Sequence, residues 1–264
     1  MTRQPVIFVS HGAPTLAAHP GRVGQAWRDL AQSLPRPDAI VVISAHWQRQ
    51  GLAITSAQQP GQIFDFYGFP DHLYHLSYTP AGAPKLASAI TQRIEEYGIS
   101  CKLDAGRGFD HGVWVPLLSM YPEADVPVLA LSLLTDNQPH AHLRVGEALA
   151  ALSDLNILVL GSGGLTHNLG YFGQVAEDGP ALPFVQTFRH WMLDRLRSGQ
   201  HEALLDYQHQ APDAARNHPT HEHLLPLFVC LGAAGPGSHA EVIDLGVHYG
   251  MLAMDAVVLT QEIM

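Results

Sequence analysis

Ala39-Ile40-Val41-Val42-Ile43-Ser44-Ala45-His46-Trp47 is the stretch that decides the fold class. Five apolar residues follow one another without polar alternation, which predicts a strand buried on both faces. The run then stops at a histidine and a tryptophan. Two other stretches do the same: Pro5-Val6-Ile7-Phe8-Val9-Ser10 ends at His11, and Asn156-Ile157-Leu158-Val159-Leu160-Gly161-Ser162 passes Gly163 and Gly164 to reach His167. Buried strands separated by helical segments predict an α/β fold with a mostly parallel central sheet flanked by helices. Ligands of open sheets of this kind bind outside the carboxyl ends of the strands, so the strand-end histidines predict a metal or catalytic site there.

Between the first two strands, the segment 21–33 has apolar residues at Val23, Ala26, Trp27 and Leu30, a helical spacing. Strand, helix and strand form a βαβ unit whose strands should run parallel. His11 and His46 would then lie at the same end of the sheet. Further strands are expected at 51–56, 99–103, 126–133, 240–245 and 251–259, and helices at 80–97, 139–152 and 182–196.

The chain of 264 residues suits a single domain over 1–264, and 47% hydrophobic with 14% charged residues describes a packed core. A net charge of −10 without a lysine or arginine run argues against nucleic acid as a partner. No apolar run approaches the roughly 18 residues of a membrane span, so no membrane partner is expected either. Cys101 and Cys230 stand far apart in apolar contexts and read as small buried hydrophobes of a protein in a reducing cytosol. Histidine is unusually abundant, 17 against 14 lysines and arginines. Most of these, His140, His142, His201, His209 and His248 among them, are expected at the surface or capped, so the functional argument rests on convergence in space.

Three further segments carry chemistry. Residues 58–79 form an aromatic-rich loop, in which Phe64, Phe66, Tyr67 and Tyr74 are suited either to cover a core or to wall a flat ring. In Gly108-Phe109-Asp110-His111-Gly112, Asp110 is placed to cap a helix whose first turn holds His111, from which a neutral imidazole can relay a proton. His218-Pro219-Thr220-His221-Glu222-His223 precedes an apolar helix but lacks the His-Glu-x-x-His spacing of zinc proteases. One ligand from this segment, added to His11 and His46, would complete a three-residue facial site with open coordination positions. The glycines at 161–164 match neither phosphate-binding pattern, so nucleotide binding is not expected.

Taken together, Ser10-His11-Gly12-Ala13-Pro14, Pro35-Arg36-Pro37 leading to Ser44-Ala45-His46-Trp47, Gly108-Phe109-Asp110-His111-Gly112, Gly161-Ser162-Gly163-Gly164 with His167-Asn168-Leu169, and the 218–223 segment resemble the class III extradiol ring-cleavage dioxygenases, and within them the 4,5-DOPA dioxygenase-like branch. The resemblance implies a mononuclear non-haem metal on His11 and His46. It implies His223 as third ligand, with Glu222 as its rival because classical relatives use a glutamate. His167 would sit beside the metal as a base or additional ligand, and His111 or His167 would supply a proton. The substrates would be O2 and a small aromatic diol, a DOPA-like catechol opened to a semialdehyde. Fe(II) would support activity, while zinc, which has no redox chemistry, would be found in purified or resting protein. His221 departs from the branch, where a proline is more usual. A zinc hydrolase of a small ester or amide and a non-catalytic metal-binding protein are the alternative readings of the same histidines. These motifs do not specify an oligomeric state.

Overall fold

The computed structural model of the protein describes residues 3–261. Its elements run, in chain order, β1 (Val6–Ser10), α1 (Gly21–Ser33), β2 (Ala39–Arg49), β3 (Leu52–Thr55), α2 (Pro84–Glu96), β4 (Cys101–Asp104), α3 (His111–Met120), β5 (Val128–Leu134), α4 (Pro139–Leu149), β6 (Ile157–Gly163) and α5 (Pro183–Arg197). Three short helices, α6 (His201–Leu205), α7 (Tyr207–Gln210) and α8 (Ala214–Asn217), lead to α9 (Leu225–Ala234). The chain closes with β7 (His239–Ile243), β8 (Val247–His248), β9 (Leu252–Ala253) and β10 (Ala256–Thr260).

Eight strands form one sheet in the order β4-β3-β5-β2-β6-β1-β10-β7, while β8 and β9 pair as a separate hairpin. The centre is parallel: β6 lies between β1 and β2 and pairs in parallel with both. β1 and β2 therefore run the same way, as the βαβ reading requires, but they are not neighbours. Antiparallel pairing is found where β3 meets β5 and where β10 meets β1 and β7. The unbroken apolar runs of β1, β2 and β6 are explained by cover on both faces. One face carries a core with α2, α4, α5 and α9 residues such as Ile90, Val145, Phe188 and Phe228, and the other packs Trp27 of α1 and Trp114 of α3.

The sheet is irregular where the site begins. β2 follows β6 in register only as far as Ser44 opposite Ser162. Against β5, the five steps from Ile43 to Gln48 answer only the two from Leu131 to Leu133. This bulge releases residues 44–47 from the β5 ladder, and past Ser44 it turns His46 out of regular pairing.

The strand expected over 251–259 is instead divided, because Asp255 interrupts it. Its carboxylate is buried on Arg189, which donates from Nε at 2.7 Å and from Nη2 at 2.6 Å. The helix expected from residue 80 begins at Pro84, and the one expected to reach 152 ends at Leu149 and tightens into a 3-10 turn, Ala150–Leu155. Among the described residues no helix is long and apolar enough to cross a membrane.

Candidate metal centre

His11 follows β1 directly, and its main-chain N–H donates to the Gly163 carbonyl at 2.9 Å, which ties the end of β1 to the end of β6. Its ring is fixed by Ser162. The Ser162 hydroxyl donates to the Gly112 carbonyl, so its oxygen accepts from His11 Nδ1 at 3.0 Å. With the proton held on Nδ1, Nε2 presents a lone pair. That Nε2 lies 3.0 Å from Nε2 of His46, delivered by the β2 bulge.

His223 comes from the loop before α9. It is admitted by Gly163, where any Cβ would collide with the His223 carbonyl oxygen, and the same carbonyl accepts from the Gly164 N–H at 2.8 Å. Glu222 Oε1 lies 2.9 Å from His223 Nδ1, which again places the proton on Nδ1. Nε2 of His223 is buried and has no hydrogen-bond partner. The His223 ring lies 5.5 Å from that of His11 and 4.9 Å from that of His46, and one donor atom from each of the three falls within 4.8 Å of the others. His167 stacks on His223 with ring centroids 3.4 Å apart and planes 7° from parallel.

His111 opens α3 and its ring lies 4.0 Å from that of His46, an approach allowed by Gly112, whose missing Cβ would crowd Ser44 Oγ and the His46 ring. The cap expected from Asp110 is not formed: its buried carboxylate accepts instead from Ser44 Oγ at 2.6 Å and from Arg107 at 2.9 Å. Asp65 takes its place. Asp65 Oδ1 accepts from the His111 main-chain N–H and lies beside His111 Nδ1, both at 2.9 Å, while Oδ2 is 3.7 Å from His46 Nδ1.

The electrostatics favour neutral imidazoles. Burial, reinforced by the neighbouring histidines, holds His11 and His223 well below the ordinary histidine value. His46 is lowered to about 3 by burial and then by His111, and His167 to about 4 by burial first. Burial alone would push the Asp65 carboxyl up, but hydrogen bonds and charge from His111 hold it down at about 2. Lone pairs fixed on Nε2 of His11 and His223 converge with the His46 ring, whose Nε2 lies 3.0 Å from that of His11. A cation is the group that such a donor set fits, and an unpartnered buried Nε2 is otherwise costly. The residues present therefore suit a metal ion.

Of the expected ring wall, Phe66 meets the His111 ring edge-on at 5.7 Å, Phe64 lies 5.8 Å from Trp114, and Tyr74 lies 5.2 Å from Phe66. Tyr67 does not join them. It is 91% exposed, because the chain turns outward toward Gly68. His218 is also apart from the centre: fully buried, it lies with Nε2 2.9 Å from the Leu165 carbonyl and anchors the loop that carries His223.

The family described as the catalytic LigB subunit of aromatic ring-opening dioxygenase matches residues 5–259. The chain belongs to this family. The dioxygenase is 39% identical over 241 residues to a 4,5-DOPA dioxygenase extradiol of Beta vulgaris, with 89% of each chain covered. It is 34% identical over 257 residues to a 4,5-DOPA dioxygenase extradiol of Escherichia coli (strain K12), covering 96% of this chain and 93% of the relative. A crystal structure of an uncharacterised Escherichia coli K12 protein superposes with a TM-score of 0.78 at 32% identity, covering 97% of this chain and 99% of the other.

Sequence reading of the dioxygenase missed Asp65 and Ser162. Asp65 lies in Phe64-Asp65-Phe66, where a lone acid between aromatics is the only local signal; Ser162 lies within the buried run of β6, where nothing local marks it. His221 has its Nδ1 2.7 Å from the Tyr207 hydroxyl and is not among the converging nitrogens.

Proposed function

We propose that this dioxygenase opens a DOPA-like catechol with O2 to a semialdehyde, at a mononuclear non-haem Fe(II) held by His11, His46 and His223. The observation that carries the reading is the common orientation of those rings. Ser162 and Glu222 hold Nδ1 of His11 and His223, which leaves Nε2 of both free as donors, and Nε2 of His46, whose Nδ1 is turned to Asp65, lies 3.0 Å from that of His11. Glu222 is thereby engaged as the partner of His223, which favours His223 over Glu222 as the third ligand. When bound, Fe(II) supplies the electron transfer between diol and O2 that zinc cannot, so zinc would occupy the site only in resting or purified protein.

The protein's own groups supply the rest. His167, held neutral by burial beside His223, accepts a proton from a diol hydroxyl as the diol binds. His111 receives or returns the proton of the ring-opening stage at Nε2, because its Nδ1 faces Asp65. Phe64, Phe66 and Tyr74 wall the aromatic ring, and their apolar faces exclude water from the reacting edge. Residues 1–264 act as one catalytic domain, and the free, buried thiols of Cys101 and Cys230 suit a reducing cytosol.

The test is oxygen uptake by protein reconstituted anaerobically with Fe(II), using a panel of catechols that includes DOPA. One O2 consumed per ring with a new visible absorbance is expected, and it should be absent from His46→Ala and from zinc-loaded protein. Tight metal binding without uptake for any catechol would overturn the substrate assignment.

A further inference from the structure

We propose that Asp65 is a positioning residue, which holds the His111 imidazole in one tautomer from the same loop that walls the substrate ring. The inference rests on the dioxygenase reading above for its catalytic consequence, but its structural half stands by itself. One carboxylate oxygen takes two donors of the same residue, the His111 main-chain N–H and ring Nδ1–H, each at 2.9 Å. A ring held at both its backbone and its Nδ1 cannot flip without losing a bond to a charged acceptor. Its Nε2 is thereby left as the proton-accepting atom, and a proton arriving there is balanced by the adjacent carboxylate. The second oxygen faces His46 Nδ1 at 3.7 Å, so one side chain addresses both a metal-facing ring and a proton-transfer ring.

The position of Asp65 in the chain gives this contact its meaning. Phe64 and Phe66 flank it, and Phe66 also touches the His111 ring edge-on. The loop is pinned to the start of α3: the Ile63 N–H donates to the Phe109 carbonyl and the Phe109 N–H to the Gly61 carbonyl, both at 2.7 Å, and Trp114 Nε1 donates to the Ile63 carbonyl at 3.1 Å. An aromatic substrate seated against Phe66 therefore bears on the segment that orients His111. Asp65 would contribute mainly to kcat, and the wall mainly to KM.

Two readouts test this, and the first needs no turnover. In zinc-loaded protein, 15N imidazole spectra should show His111 as the Nδ1–H tautomer in the wild type, a mixture in Asp65→Ala, and the wild-type form again in Asp65→Asn, which keeps an accepting oxygen. In the Fe(II) enzyme, Asp65→Ala should lower kcat by about 10- to 100-fold, the usual range for an outer partner of a site histidine, with KM changed less than about twofold. Asp65→Asn should recover part of that loss and also guards against an alanine variant that fails to fold. In a His111→Ala background, Asp65→Ala should cost less than about threefold, since the interaction is already gone. An unchanged His111 tautomer in Asp65→Ala, or an equal loss in both backgrounds, would overturn the proposal. A wild type that consumes no O2 would instead sink the catechol reading, while the imidazole spectra would still decide whether Asp65 holds His111.

Discussion

The sheet end and the loop that covers it build the same centre by different routes. His11 and His46 are delivered by strands, and the register of β1, β6 and β2 brings their rings together from positions 35 residues apart. Asp65, Phe64 and Phe66 come from a loop whose placement depends on hydrogen bonds to residues about the start of α3, 46 residues away in the case of His111. A strand fixes the direction of every side chain it carries, whereas a loop takes its direction from whatever it meets. Metal-facing groups should therefore be all-or-none in their effect, and loop groups graded.

The largest effect is expected where the loop before α9 is tied to the sheet end, the His223 carbonyl accepting from the Gly164 N–H. His223→Ala should remove one of three converging nitrogens and reduce both bound metal and oxygen uptake to background, measured by metal analysis of the purified protein and by an oxygen electrode. Retention of a full equivalent of metal would show that the centre is held elsewhere and would break the contrast at its root.

Acid should expose the same region. The folded values of His46 and His167, about 3 and 4, lie below the ordinary 6.5, so between those limits the unfolded chain binds more protons. Stability of the metal-free protein must then fall as pH drops through 6.5, and the loss should level off only below about 4 for His167 and about 3 for His46. Going from pH 8 to pH 5 should cost about 2 kcal/mol for each of the two. Denaturant melts across that range check the sign: a flat profile would mean that these rings are not held neutral.

Glu222→Gln should be milder, about 10- to 100-fold in metal affinity, as fits a partner that orients His223. A loss as complete as that of His223→Ala would return Glu222 to the role of ligand, the choice left open in the sequence. The sequence disclosed the buried strands β1, β2 and β6, the common direction of β1 and β2 and the convergence of His11 and His46, because unbroken apolar runs leave little freedom in how a strand is used. It did not disclose that β6 inserts between β1 and β2, since strand order is decided by packing across the whole sheet. Asp110 was suited by position to cap α3, yet Ser44 and Arg107 claim its carboxylate, and only the fold brings Ser44, 66 residues away, to the other two. His142, expected at the surface or capped, is fully buried, with Nε2 accepting from the Leu134 N–H and Nδ1 beside the Gln138 carbonyl. In each case the deciding partner is distant or not implied by side-chain type.

The smallest effects should separate two aromatic neighbours within the loop itself. Phe66 is 7% exposed and meets His111, Tyr74 and Trp114, whereas Tyr67 is 91% exposed. Composition gives no reason to prefer one over the other; only the outward turn of the chain after Phe66 distinguishes them. Phe66→Leu keeps an apolar side chain but removes the flat face, and should raise KM for a catechol by about tenfold, on the scale of one aromatic pair in an apolar pocket. Tyr67→Ala should stay within about twofold, as a solvent-exposed side chain contributes little to a buried contact. Steady-state oxygen uptake on both variants measures the difference. Equal increases in KM would mean that the substrate brings Tyr67 back over the ring, and the loop would then be a closing element and not a fixed wall.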